Sequence, residues 1–163
     1  MPNSISLQLE PHLYNFLRIH LGTEMKRTIK NTSNIGCFIL NRVEVSDFPL
    51  RGRPVEKNVL KLEIPTETNT YNLRFGGYPF LSEKGAQEIN KLLEFIMKKE
   101  LFDKLDLIEE NQQNKQRNGK ISAEIRKFVQ KYSSDEVELS FDTWKKRYQR
   151  HKKKGVNLLT TDI

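Results

Sequence analysis

Residues 140–154 read SFDTWKKRYQRHKKK. The last ten positions hold seven cations, Lys145, Lys146, Arg147, Arg150, Lys152, Lys153 and Lys154, and no acid interrupts them. Laid on a helix at about 100° per residue, the stretch has two unequal sides. Phe141, Trp144, Tyr148 and His151 step by three and four along one side. Lys146, Arg150 and Lys153, flanked by Thr143 and Gln149, take the other, with Arg147 at its border. Such a helix can bury an aromatic stripe and still present a cationic face, as a helix on a phosphate backbone or in a DNA groove must. A basic run can also be a solvated tail, or meet acidic proteins or a membrane surface. Disordered tails are poor in aromatics, and a membrane helix would carry a wider aliphatic face.

Working back from this stretch, residues 120–132 predict a second amphipathic helix, with Ile121, Ile125, Phe128, Val129 and Tyr132 on one face. Ser133 and Glu136 have capping-box spacing, so SDEVEL fits a short helical turn. Ser140 caps the basic helix, Asp142 lies in its first turn, and Gly155 is the expected stop. Two such helices across a connection of about seven residues resemble a helix-turn-helix, whose second helix enters the major groove. A connection of three to four residues is more usual there, and a helical pair capping the rest of the chain has the same pattern.

The segment AEIRKFVQKYSSDEVELSFDTWKKRYQRHKKK, residues 123–154, resembles the C-terminal end of small basic proteins of phages and mobile elements of Bacteroidetes-type bacteria. In those proteins an Ile…Phe…Tyr helix is followed by an acidic connection and an aromatic, Lys/Arg-rich helix. The resemblance covers about the last third of the chain. It implies a DNA-associated role in a mobile element and assigns no site residue.

Further back, EENQQNKQRNG (residues 109–119) contains no apolar residue and is the best linker candidate. Before it, Ser82 can cap a long helix, with Glu83 suited to its N-terminal dipole. Ala86, Ile89, Leu92, Leu93, Ile96, Leu101, Leu105 and Ile108 mark its apolar stripe. The N-terminal half alternates instead. Residues 4–9 predict a strand, and Pro11 opens a helix that Gly22 stops. Residues 35–45 are apolar and β-branched and predict a strand; residues 58–64 and 71–75 alternate and predict two more. The expectation is an α+β fold with a β-rich N-terminal half, one early helix, a long central helix and a helix-turn-helix-like basic module. The expected domains are 1–110, a polar linker 111–119, the basic module 120–155 and a tail 156–163.

Between two expected strands, Arg51-Gly52-Arg53-Pro54 matches the core of a minor-groove hook. There glycine lets the backbone lie deep and the arginines follow the groove's negative potential. Asp47, Phe48 and Glu56 nearby depart from the usual basic flanks, and a Pro/Gly turn with exposed arginines has the same sequence.

Composition narrows the rest. The chain has 163 residues, nine Phe, five Tyr and one Trp, enough for a folded core. Its formal net charge is +7, and residues 119–163 hold eleven Lys/Arg against six Asp/Glu. Cys37 is the only cysteine. It allows no intrachain disulfide or cysteine-based zinc site, and its apolar surroundings predict burial. His12, His20 and His151 lack metal-ligand spacing, and no Gly-rich phosphate loop occurs. No cofactor or small-molecule substrate is implied. The N-terminus lacks a secretory pattern and no run is long enough to span a membrane, so a cytoplasmic protein is expected.

These features predict a non-catalytic double-stranded DNA-binding protein, a regulator or accessory factor of a phage or mobile element. Its candidate contacts are Thr143, Lys146, Arg147, Gln149, Arg150 and Lys153, with Arg51 and Arg53 as a second element. Exposed strand edges in the N-terminal half would suit a homodimer. The alternative is an assembly protein whose basic end meets a packaged genome or an acidic partner. RNA ranks below DNA because no aromatic single-strand platform is evident.

Overall fold

The computed structural model describes residues 4–49, 57–65, 77–111, 114–133 and 138–160. Along them run β1 (Ser4–Gln8), α1 (Pro11–Leu21), β2 (Lys26–Thr28), α2 (Asn34–Leu40), β3 (Val43–Ser46), β4 (Val59–Glu63) and β5 (Tyr78–Leu81). Then come α3 (Glu83–Glu110), α4 (Asn114–Tyr132) and α5 (Phe141–Thr160). The fold is α+β, with strands early and long helices late. The chain divides into two compact units, Met1–Phe95 and Ile96–Ile163. The division falls inside α3, where the apolar stripe passes from one core to the next, and not at the polar run after Glu110.

In the first unit, β1 alternates: Ile5 and Leu7 are buried, while Ser4, Ser6 and Gln8 are exposed. β1 pairs antiparallel with β4, Ile5 opposite Leu62 and Leu7 opposite Leu60, so both buried sets lie on one face. β2 joins the other edge of β4 in parallel, and β3 pairs antiparallel with β5. Pro11 stands at the start of α1, where its missing N–H costs no hydrogen bond. Leu13, Phe16 and Leu17 form its buried face, and Gly22 ends it at φ 86°. Asn90 of α3 ties the strands to the helix. Its amide donates to the Gln8 carbonyl at 2.9 Å and accepts from the Glu10 N–H at 3.1 Å.

The expected strand at 35–45 is instead a helix followed by a short strand, α2 and then β3. Two local features outweigh the β-branched composition. Ser33 caps the helix, its Oγ accepting from the Gly36 N–H at 3.0 Å. Gly36 is buried so close to Lys30 that a Cβ would stand 1.9 Å from the Lys30 carbonyl oxygen. The turn also lifts Cys37 out of the core: its side chain is exposed, with Sγ 2.9 Å from the Asn31 carbonyl. Among its described residues, the N-terminal half therefore carries two helices. β5 was not foreseen, because Pro79 masks a strand pattern. The strand expected at 71–75 lies outside the described residues.

The second unit is built from the last part of α3, α4 and α5. Its buried residues are Met97, Leu101 and Leu105 of α3, Ile125, Phe128 and Tyr132 of α4, and Trp144 and Tyr148 of α5. α4 begins at Asn114, so most of the expected linker is helix. Lys115, Gln116 and Arg117 are good helix formers, and lack of an apolar anchor does not prevent extension of a helix that is anchored further on. α5 likewise runs through Gly155 to Thr160, so the expected stop and most of the tail are helical. One internal glycine costs only about 1 kcal/mol. Glu138, Leu139 and Ser140 are not helical, and the other residues of the suggested SDEVEL turn lie outside the described residues.

Candidate nucleic-acid interface

The middle of the aromatic side of α5 is buried, while Phe141 at one end is half-buried and His151 at the other is exposed. Trp144 is 2 % and Tyr148 3 % exposed. The Trp144 ring meets Phe128 of α4 edge-on at 4.8 Å, and Phe128 meets Tyr132 in the same way at 4.8 Å. Phe102 of α3 lies 5.6 Å from the Tyr148 ring and 4.8 Å from His151. The start of the helix is capped by Ser140, whose Oγ accepts from the Thr143 N–H at 3.4 Å.

The polar tips of buried Tyr148 and Tyr132, and of exposed His151, reach carboxylates on α3. Tyr148 donates to Asp106 Oδ1 at 2.9 Å, and His151 Nε2 lies 3.2 Å from Asp106 Oδ2. Tyr132 donates to Glu100 Oε1 at 2.9 Å. Burial pushes the Tyr132 phenol well above its ordinary range, and the hydrogen bond to Glu100 adds to the rise. Lys152 donates to Glu109 Oε1 at 2.6 Å. Four contacts from Asp106, Glu100 and Glu109 thus hold α4 and α5 against α3 and fix which way α5 faces.

This anchoring sorts the basic residues of α5. Lys152 is bound to Glu109. Arg147 is half-buried, with its guanidinium 5.0 Å from the centroid of the Trp144 ring. Thr143, Lys146, Gln149, Arg150 and Lys153 are all exposed. No carboxylate among the described residues pairs with Lys146, Arg150 or Lys153. Their i, i+4, i+7 spacing spans about 10 Å at 1.5 Å rise per residue. Asp142 shares the outer arc and is exposed as well.

Comparison with protein-family models, with curated proteins and with solved structures finds no match. The geometry of α5 therefore bears the functional weight. Five of the candidate contacts stand on one solvent-facing arc, and Arg147 borders it while engaged with Trp144. Arg51 and Arg53 lie outside the described residues. Sequence reading missed the α3 carboxylates, because Glu94–Glu110 alternates with lysine and reads as a solvated face. The available signal was the demand of two buried tyrosines for hydrogen-bond acceptors. Among the described residues, no helix is long and apolar enough to cross a membrane.

Proposed function

We propose that the C-terminal unit is a non-catalytic module for double-stranded DNA, with α5 as its contact helix. The protein would act in the cytoplasm as a regulator or accessory factor of a phage or mobile element. One observation carries this reading: Lys146, Arg150 and Lys153 project together into solvent without a described carboxylate partner, while the opposite side of the helix is pinned by Trp144, Tyr148 and Asp106. A fixed row of cations with no described carboxylate partner costs little to order against phosphates and releases condensed counterions when it binds. Thr143 and Gln149 add neutral hydrogen-bonding groups of the kind that contact phosphates and base edges. The mobile-element part of the proposal rests on the resemblance carried by residues 123–154. Among the described residues, β1, five residues long, and β2, three residues long, are the edges of the three-stranded sheet, and pairing of such an edge with a second copy is the homodimer we propose.

The test is binding of the full chain to a duplex of arbitrary sequence across a salt series. Affinity falls with salt at a log–log slope of about −0.9 per neutralised phosphate. Replacing Lys146, Arg150 and Lys153 with Ala flattens that slope by roughly 2–3 units and leaves the thermal midpoint in place. Absence of salt-dependent duplex binding by the wild type near about 50 mM salt would overturn the proposal and favour an assembly component with an acidic protein partner.

A further inference from the structure

The basic surface of the C-terminal unit extends beyond the outer row of α5. Phe141, at the first turn of α5, is approached by cations from two helices. The Arg126 guanidinium of α4 stands 5.3 Å from its ring centroid, and the Lys145 ammonium stands 5.9 Å from it. Both side chains are exposed, and no carboxylate among the described residues pairs with either. Three other cations of the two helices meet carboxylates: Lys127 pairs with Glu124 at 3.8 Å, Lys131 lies 3.8 Å from Glu100, and Lys152 is bound to Glu109. Two cations that share one ring and have no described carboxylate partner repel each other, and an anion that meets both offsets that repulsion.

Their angular placement matters. At about 100° per residue, Lys145 lies about 100° around α5 from Lys146, on the flank of the cationic arc and not at its centre. Lys153 and Lys146 mark the centre, with Gln149 to one side and Arg150 to the other. A helix lying along a single strand needs one row of cations. A helix inside a groove meets base edges with its centre and phosphates with its flanks, and the preceding helix commonly reaches the same backbone.

We propose that Arg126 and Lys145 form a two-helix phosphate clamp on one flank of α5, so that α5 enters a duplex groove instead of lying along one strand. This rests on the DNA reading above; it turns the row of α5 from one backbone into the groove and adds two contact residues. The Phe141 ring is the common neighbour of the two cations. The clamp takes a phosphate of one backbone while Lys146, Gln149 and Lys153 face the groove.

The experiment compares Arg126→Gln/Lys145→Gln with wild type in the full chain, on an arbitrary-sequence duplex of about two helical turns. The double variant loses roughly tenfold or more in affinity near about 0.1 M salt, and its salt slope flattens by roughly 2 units. Phosphate-ethylation interference detects contacts on both strands for the wild type and on one strand for the double variant. Arg126→Lys, which keeps the charge, retains most of the affinity. Unchanged affinity and slope in the double variant, with normal wild-type binding, would overturn the clamp and leave the DNA reading standing. Equal losses in Arg126→Lys and Arg126→Gln, with a lowered thermal midpoint, would overturn it too, by showing that Arg126 only packs on Phe141. A wild type that binds no duplex removes the reading and the clamp together.

Discussion

Tyr148, buried on α5, donates its phenolic hydrogen to Asp106 on α3 at 2.9 Å, and Asp106 holds His151 with its second oxygen. One carboxylate thereby fixes two residues of the stripe, three positions apart. Because the side chain of Tyr148 cannot turn, the cationic row on the far side of α5 cannot turn either. Stability and presentation of the basic face are linked at this one group.

Tyr148→Phe keeps the ring and removes the donor. A hydrogen bond to a charged acceptor contributes about 1.5–3 kcal/mol, and Asp106 keeps its contact with His151, so we expect a loss of about 1–2 kcal/mol in chemical denaturation. The same assay with Asp106→Asn and the double variant gives the coupling. A coupling near zero would mean that the two residues merely sit side by side. Trp144→Ala removes far more contact and should cost about 3–5 kcal/mol.

Tyr132 makes stability depend on alkaline pH. Its folded-state phenol is raised well above the unfolded value of about 10 by burial and by Glu100. Below about pH 10 both states are protonated and its contribution is fully present. Above that, the unfolded chain loses the proton while the folded chain holds it, so stability falls as pH rises, by at most about 1.4 kcal/mol per pH unit. Tyr132→Phe should flatten the alkaline arm of a stability–pH curve and leave its acid arm alone. An alkaline arm identical in the two proteins would show that Tyr132 titrates in the folded state like an exposed phenol.

Two glycines should respond to alanine with opposite signs. A Cβ at Gly36 would meet the Lys30 carbonyl oxygen at 1.9 Å and its carbon at 2.8 Å, both backbone atoms. Gly36→Ala should therefore lower stability by about 1–3 kcal/mol or displace α2. Gly119 lies inside α4 with nothing within 4 Å of an added Cβ. Gly119→Ala should raise stability by about 0.5–1 kcal/mol. A neutral result at Gly119 would show that this turn of α4 frays in solution.

The same two positions show what the sequence revealed and what it concealed. The amphipathic stripes of α3, α4 and α5 were legible because each spans several turns and leaves Ile89, Ile125 or Trp144 on a single face. The alternation of β1 and β4 was equally plain. α2 was not, because seven residues rich in Ile and Phe carry no clear period, and the deciding contact at Gly36 is with Lys30, six positions earlier. Element ends failed for a related reason. Gly119 and Gly155 are weak local stops, and the tertiary anchoring of Phe128 and Trp144 carries α4 and α5 past them. On the candidate interface, the side of α5 that faces solvent was readable from Phe141, Trp144 and Tyr148. The identity of the unpaired cations was not. It depends on which lysine of α5 meets Glu109 of α3, a contact between helices far apart in sequence, and on which arginine folds over Trp144 within α5 itself.

Asp142 gives the last and most discriminating prediction. It is exposed on the outer arc of α5, beside Gln149 and Lys146 by helical angle, and it is the only acid among the described residues of that helix. In the first turn its charge favours the helix dipole by about 0.3–1 kcal/mol. Against a phosphate backbone the same charge is unfavourable. Asp142→Asn should therefore lower the thermal midpoint slightly and raise affinity for arbitrary duplex DNA several-fold, with the gain shrinking as salt screens the repulsion. The opposite result on one particular duplex, with affinity lost there and gained elsewhere, would make Asp142 a base reader that accepts from a cytosine amino group. If affinity for every duplex stayed unchanged while the midpoint fell, the outer arc of α5 would not face DNA at all.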